Sequence, residues 1–454
     1  MATTSLLAGR RIGVVGAGLV GTLCAVYLAR HGAAVTFVEK RPDLRRTDLP
    51  GGRSIAMSLS DRGFRALRGL GLEDAVRAGT KPKTRRCVHL PSGGTQIQEY
   101  GRDGQALWTV NRKQLNCTLL DAAREAGIDL RFETVCESVD TGRPALALRD
   151  LRTGDTITEA FDHVIGADGM FSQVRADLGR AGDLAESVTT IAYGYFELVI
   201  PARADGGFRL DSDCVHIWPR PEGLFVALPN LNGTFTGTLF FAKDGDNLFR
   251  GDRTAAERAA GFAAAFPEVA ALSPDHAAML AANPPSDIST VNCTPWHAGD
   301  RICLIGDACH AIVPFYAMGM NTGFEDCTVL DGLIGELGGD LGAVFAAFSR
   351  QRKPCTDAIS ELSRRNFLSI GKSADPRYHE RWLLERRIWE RFPERWTPLY
   401  AMIHFSTRPL DEVIRAAERQ KTVLDRLMAE IHGPEGHEQI CLDTVVAPLL
   451  AETG

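Results

Sequence analysis

The segment that most restricts what this chain can become lies near its start. Arg11-Ile-Gly-Val-Val15 has strand character, Gly16-Ala-Gly18-Leu-Val-Gly21 follows, and a helix-period stretch then carries Leu23, Val26, Tyr27 and Ala29 to a stop at Gly32. Ala34-Val-Thr-Phe-Val38 is a second apolar strand, and it ends in Glu39. In such a unit Gly16 allows a tight turn, Gly18 lets the backbone approach a pyrophosphate, and Gly21 lets helix and strand pack closely. The helix N-terminus faces the phosphates, and an acid about 20 residues on can accept from the ribose hydroxyls of an adenosine. Strand, glycine loop, helix, strand and acid together predict a dinucleotide site in an α/β domain. Glu39 favours an unphosphorylated ribose, hence FAD or NAD over NADPH, and the basic pair Lys40-Arg41 directly after it bears on that choice.

Bulk properties exclude several classes. At 454 residues the chain can form two or three cores, and a formal charge of −6 without a basic stripe argues against nucleic acid as a partner. The eleven cysteines are scattered, with no C-x-x-C pair and no Cys/His grouping at zinc spacing, which suits reduced thiols in a cytoplasmic protein and no metal. No apolar run approaches the roughly 18 residues of a membrane span, so a soluble chain without a membrane partner is expected.

Further along, Cys87-Val-His-Leu90, Gln96 to Tyr100 and Leu107 to Val110 read as strands inserted into the nucleotide domain, and Asn111-Arg112 opens a helix. Residues 184 to 300 alternate as an antiparallel sheet through Tyr193–Ile200, Cys214–Pro219, Leu224–Pro229 and Phe235–Phe241. Arg301 to Ile305 is a strand, Gly306-Asp307 breaks it, and Gly319-Met320-Asn321 leads into a helix with Phe324, Val329, Leu330 and Leu333. Beyond it the chain reads as helical, including an amphipathic stretch from Leu410 to Ile431 whose stripe suits core packing. The expected organisation is a nucleotide domain at 1–183, a sheet-rich domain at 184–300, a return to the nucleotide domain at 301–335 and a helical region at 336–454.

Two more motifs narrow the reading. Gly166-Ala-Asp168-Gly169-Met-Phe-Ser172-Gln-Val-Arg175 follows the fingerprint, and Gly306-Asp307-Ala-Cys-His310-Ala-Ile-Val-Pro314 comes after the sheet-rich stretch. In this order, over residues 11 to 326, they resemble the single-component FAD-dependent aromatic hydroxylases. The resemblance implies a Rossmann-like FAD domain, an antiparallel-sheet substrate domain and a helical C-terminal region. It implies bound FAD, with Gly16, Gly18, Gly21, Glu39, Arg53, Arg112, Asp168, Asp307, Gly319, Met320 and Asn321 around it. NADPH and O2 would be co-substrates, and a flavin C4a-hydroperoxide would do the chemistry, so no residue of the chain is expected to be catalytic. His310 reads as a loop anchor.

Within that family the sequence is most similar to the kynurenine hydroxylases, through Arg86-Cys-Val-His89, Tyr100-Gly-Arg-Asp103, His216-Ile-Trp-Pro219 and Gly323-Phe-Glu-Asp326. This likeness implies that Arg86, Tyr100, Asn366 and Tyr400 hold the amino-acid end of an aromatic substrate. Leu228 and Phe240 would line its ring, and Pro314 and Phe315 complete the implied substrate set. A guanidinium fork suits a carboxylate in a dry pocket better than an ammonium does. One departure stands out: kynurenine hydroxylases read P-F-x-G-Q-G-M-N where this chain has Pro314-Phe-Tyr-Ala317-Met318-Gly319-Met-Asn321. It leaves open a substituted kynurenine or related ortho-amino aromatic acid, and more distantly an FAD-binding sensor or scaffold. A monomer or homodimer is expected.

Overall fold

The computed structural model describes residues 5–47, 56–244, 252–283, 285–370, 374–433 and 435–452. Arg53 lies outside the described residues. The chain forms two compact units, one of residues 1–81, 108–191 and 288–360, the other of 82–107, 192–287 and 361–454.

The first unit is built on a six-stranded sheet in the order His297–Ala298, Ile302–Leu304, His163–Gly166, Arg11–Val15, Ala34–Glu39, Asp129–Phe132. All pairings are parallel except the short edge pair 297–298 with 302–304. Parallel strands are covered on both faces, which is why Ile12, Val14 and Val15 are all buried where an antiparallel strand would alternate. Helix Leu19–Arg30 is correspondingly apolar on every side, with its residues from Leu19 to Leu28 buried apart from Val20. A three-stranded antiparallel sheet, Thr134–Asp140, Ala145–Asp150 and Thr156–Ala160, is attached to this unit. Ala56–Leu59 is a strand paired with Leu107–Asn111, and helix Asp61–Gly69 follows it. Extended backbone at Ser60 forces the change of direction.

The second unit holds most of a seven-stranded sheet, in the order Ser286–Thr294, Ala185–Ile200, Phe235–Ala242, Gly223–Pro229, Cys214–Arg220, Arg85–His89, Thr95–Glu99. One face packs Phe196, Trp218, Phe225, Leu239 and Phe241 against Phe262, Val269 and Leu280 of three helices, Ala255–Ala265, Pro267–Leu272 and His276–Ala282, and against Phe266 at the junction of the first two. These helices fall inside the stretch, 184–300, whose sequence reads as sheet-rich. A capping box between Thr254 and Glu257 starts the first of them. The C-terminal part is helical, and Val413, Leu424, Leu427 and Met428 of helix Leu410–Glu430 are buried, the last three in a cluster with Leu384, Ile388 and Trp396. Among the described residues no helix is long and apolar enough to cross a membrane.

Candidate functional site

The glycine loop of the first unit has the geometry its spacing predicts. Gly16 sits at φ +99°, and a Cβ there would come within 2.6 Å of the Ala167 carbonyl. A Cβ on Gly21 would lie 2.0 Å from the Gly16 oxygen, so no side chain fits at either place. A Cβ on Gly18 would meet nothing within 4 Å: the backbone borders open space at the start of helix Leu19–Arg30, where a phosphate can approach. Ala17 is held from both sides, its N–H donating to Glu39 Oε2 at 2.9 Å and its carbonyl accepting from Asn116 Nδ2 at 3.1 Å. Burial works against ionising Glu39, but donors from Arg41 and the Ala17 amide keep its carboxyl below the ordinary range. Asn116 escaped the sequence reading. Its only signal was a polar residue on the buried face that carries Leu115, Leu119 and Leu120.

Asp307 begins a one-turn helix, Asp307–His310, behind Gly306 at φ +63°. Protein crowds it closely enough that desolvation raises its carboxyl pKa, with His310 and Arg112 pulling the other way, yet its side chain is exposed. A group both desolvated and exposed lines a cleft. Helix Gly319–Glu336 starts nearby, a Cβ on Gly319 falling 4.0 Å from Asp307 Oδ1. Its first amides have no partner within the helix, so Gly319, Met320 and Asn321 can present N–H groups to a flavin edge. The side chain of Asn321 is occupied elsewhere: Oδ1 accepts from Ser60 N, and Nδ2 donates to the Ser58 and Ala317 carbonyls, each at 2.9 Å. Asp168 is likewise committed, accepting from Ser172 Oγ at 2.5 Å and from the amides of Gln173 and Val174 at the start of helix Gln173–Ala181. Whatever either residue offers a cofactor must come from its backbone or its bulk.

A buried ion network supports this loop. Arg62 pairs with Glu325 at 2.5 Å, Arg352 with Glu325 at 2.7 Å and with Asp326 at 2.8 Å, and His310 Nε2 lies 2.5 Å from Asp326 Oδ2. Asp326 also accepts from the Gly306 amide. Despite full burial its carboxyl stays below the usual value, because His310 and Arg352 favour the charged form. His310 therefore anchors the loop. Pro314 and Phe315 form a further turn here, and Met318 is fully buried.

In the second unit, strand register collects the residues expected at the substrate. Arg86 pairs with Val215, Ile217 with Val226, and Val226 with Thr238, while Leu224 and Leu228 pair with Phe240 and Thr236. With a period of two, Arg86, Val215, Val226, Leu228 and Phe240 share the sheet face opposite the Trp218–Phe225 cluster. The guanidinium of Arg86 lies 5.7 Å from the ring of Tyr100 and 5.5 Å from that of Tyr400, and the two phenols stack at 4.9 Å and 17°. Burial works to lower the pKa of Arg86, but Tyr100, Tyr400 and Tyr378 hold it above its ordinary value. Among the described residues no carboxylate pairs with Arg86. Tyr378, on helix Pro376–Arg391, is a member that sequence reasoning missed, since nothing in its local pattern distinguishes it from a packing residue. Asn366 lies half-buried on helix Leu341–Ile370.

The two constellations, a dinucleotide cradle with an acid-lined cleft and a buried arginine among phenols, are those of a flavin-dependent monooxygenase. Comparison with known proteins agrees. Residues 10–359 match the FAD binding domain family. Relatives named kynurenine 3-monooxygenase include that of Flavobacterium johnsoniae, 39% identical over 92% of this chain and 94% of its own length. That of Stenotrophomonas maltophilia is 39% identical over 95% of both chains. Among solved structures, 2-methyl-3-hydroxypyridine-5-carboxylic acid oxygenase superposes with a TM-score of 0.65 over 81% of this chain and 93% of that one, at 21% identity. PqsL of Pseudomonas aeruginosa, in complex with 2-aminobenzoylacetate, gives 0.62 over 78% and 95%, at 20% identity. The chain belongs to the FAD-dependent monooxygenases and, within them, to the kynurenine 3-monooxygenase family.

Proposed function

We propose that this enzyme hydroxylates the ring of L-kynurenine at the 3-position, using NADPH and O2. The observation that carries the substrate is Arg86: a desolvated guanidinium that faces three phenols and is paired with no carboxylate among the described residues. An amino-acid carboxylate completes it, as a fork-to-fork pair reinforced by Tyr100 and Tyr400, with Asn366 as a further polar contact. Leu228 and Phe240 then offer an apolar wall to the aryl ring. When bound, FAD supplies the redox and oxygen chemistry. The chain's own contribution is to hold the substrate by its carboxylate, exclude water with apolar side chains, and present Gly319, Met320 and Asn321 amides where negative charge develops. The enzyme acts in the cytoplasm, as a monomer or homodimer, on a small molecule.

Aerobic oxidation of NADPH stimulated by kynurenine, with 3-hydroxykynurenine identified by mass, is the expected result. A flavoprotein that consumes no NADPH on adding kynurenine contradicts it. A second reading, a substituted kynurenine or related ortho-amino aromatic acid, is favoured by one observation: Ala317 and the buried Met318 replace a glycine and an amide in the loop that precedes helix Gly319–Glu336. A panel of ring-substituted kynurenines, ranked by kcat/KM, separates the two.

A further inference from the structure

The sheet face that looks away from Arg86 carries a second constellation. Strands Arg85–His89 and Cys214–Arg220 run parallel, in a register that sets Cys87 beside His216. The Cys87 thiol and one nitrogen from each of His89 and His216 all lie within 4.8 Å of one another. We propose that Cys87, His89 and His216 form a binding site for a borderline-soft divalent cation of the zinc type.

The donor set argues for this class of ion. One thiolate and two imidazoles suit zinc, whereas calcium and magnesium require oxygen ligands. The rings are also held in place before any ion arrives. His216 Nε2 lies 2.8 Å from the Asp211 carbonyl, so it carries the proton and leaves Nδ1 as the donor atom, the outer-shell support typical of ligating histidines. His89 is stacked on Trp218 with centroids 4.0 Å apart and planes 8° from parallel. Cys214 offers a second thiol on the same face two residues before His216, with its Sγ 3.4 Å from Asp211 Oδ2. The sequence hides this set because Cys87-Val-His89 and His216 are far apart along the chain, and only the parallel pairing joins them.

Binding is a simple exchange. The S–H bond of Cys87 breaks and its proton passes to solvent. The contact between His89 Nε2 and His216 Nδ1, now 2.9 Å, opens as His89 moves its ring proton from Nε2 to Nδ1. The ion would clamp together the two strands whose opposite faces carry Arg86 and Val215.

The test uses the full-length FAD-loaded enzyme, stripped with chelator, dialysed against zinc chloride and assayed for zinc by elemental analysis. One zinc per chain is expected, with a zinc-edge absorption spectrum showing a sulfur neighbour at about 2.3 Å and two nitrogens at about 2.0–2.1 Å. Affinity should fall roughly tenfold or more in Cys87→Ser and in His89→Gln, and stay unchanged in Arg86→Ala. FAD content and melting temperature identify a variant that has not folded, in which case the other carries the comparison. No zinc in the wild type, equal zinc in wild type and variants, or a shell without sulfur overturns the proposal.

Discussion

Arg175 donates from Nη1 to the carbonyl of Ala308 at 2.8 Å, and so ties the helix after Gly166-Ala-Asp168-Gly169 to the loop that begins at Asp307. Two motifs more than a hundred residues apart are thus one mechanical object. The same guanidinium donates to the Met170 carbonyl at 2.8 Å and pairs with Glu186 at 2.5 Å. The spacing between Asp168, Ser172 and Arg175 then has a physical origin: Asp168 and Ser172 start the helix, and its first turn aims Arg175 at the second motif.

Arg175→Leu should therefore weaken FAD retention without touching the cofactor. Leaving the Ala308 and Met170 carbonyls unpaired costs about 2–4 kcal/mol. A lower urea midpoint and a reduced flavin-to-protein ratio after gel filtration are the readouts; unchanged flavin content would separate the helix from the loop.

Arg86→Ala should raise the KM for kynurenine by at least about thirtyfold, matching the roughly 2–5 kcal/mol lost when one partner of a buried charge pair is removed. FAD content should stay at the wild-type level, since Arg86 belongs to the substrate set. A KM within a factor of two of wild type would take Arg86 out of the site.

Ala317 occupies the left-handed region at φ +53°, where a Cβ costs about 1–2 kcal/mol. Replacing it with glycine removes that cost and adds about 0.5–1 kcal/mol of unfolded-chain entropy. The first effect is larger, so Ala317→Gly should stabilise the enzyme slightly, by about 0.5 kcal/mol. Chemical denaturation at matched FAD saturation measures it, and a destabilised variant would show that the Cβ makes contacts worth more than the strain.

Burial pushes the Glu385 carboxyl up to about 7 against the pull of Arg381. A carboxyl raised above its unfolded value, ordinarily about 4.3, contributes stability that is fully present below that value and lost as pH rises to about 7. Glu385→Gln should thus be more stable than wild type at pH 8, by on the order of 2 kcal/mol. The difference should shrink as pH falls toward 4.5. Parallel pH profiles would contradict this assignment.

How much of this was legible beforehand depended on distance along the chain. The cradle from Gly16 to Glu39 could be read because its parts follow one another within a single βαβ unit, and the order of the three motifs sufficed for the family. Helices 255–282 were hidden by an alanine-rich stretch between strands, with only Thr254 and Glu257 to mark the start. The network of Arg62, His310, Glu325, Asp326 and Arg352 could not be seen, because charged residues scattered over four segments look solvent-exposed until the fold buries them together. Tyr378 was missed because its local pattern is that of a packing residue, and Asn116 because a single polar residue on a buried helix face is a weak signal. For Asp168 and Asn321 the sequence revealed the position but not what the side chain is bonded to.

The strand Arg85–His89 places a guanidinium on one face and a thiol with an imidazole on the other, from adjacent residues. Such a segment tolerates substitution far better than a change of length. Inserting one residue between Thr84 and Arg86 would exchange the faces, sending the cation into the apolar cluster and the thiol toward the phenols. Drift in this lineage should accordingly leave the residue count between Thr84 and Leu90 fixed, while the turn at Pro91-Ser-Gly-Gly94 lengthens or shortens freely.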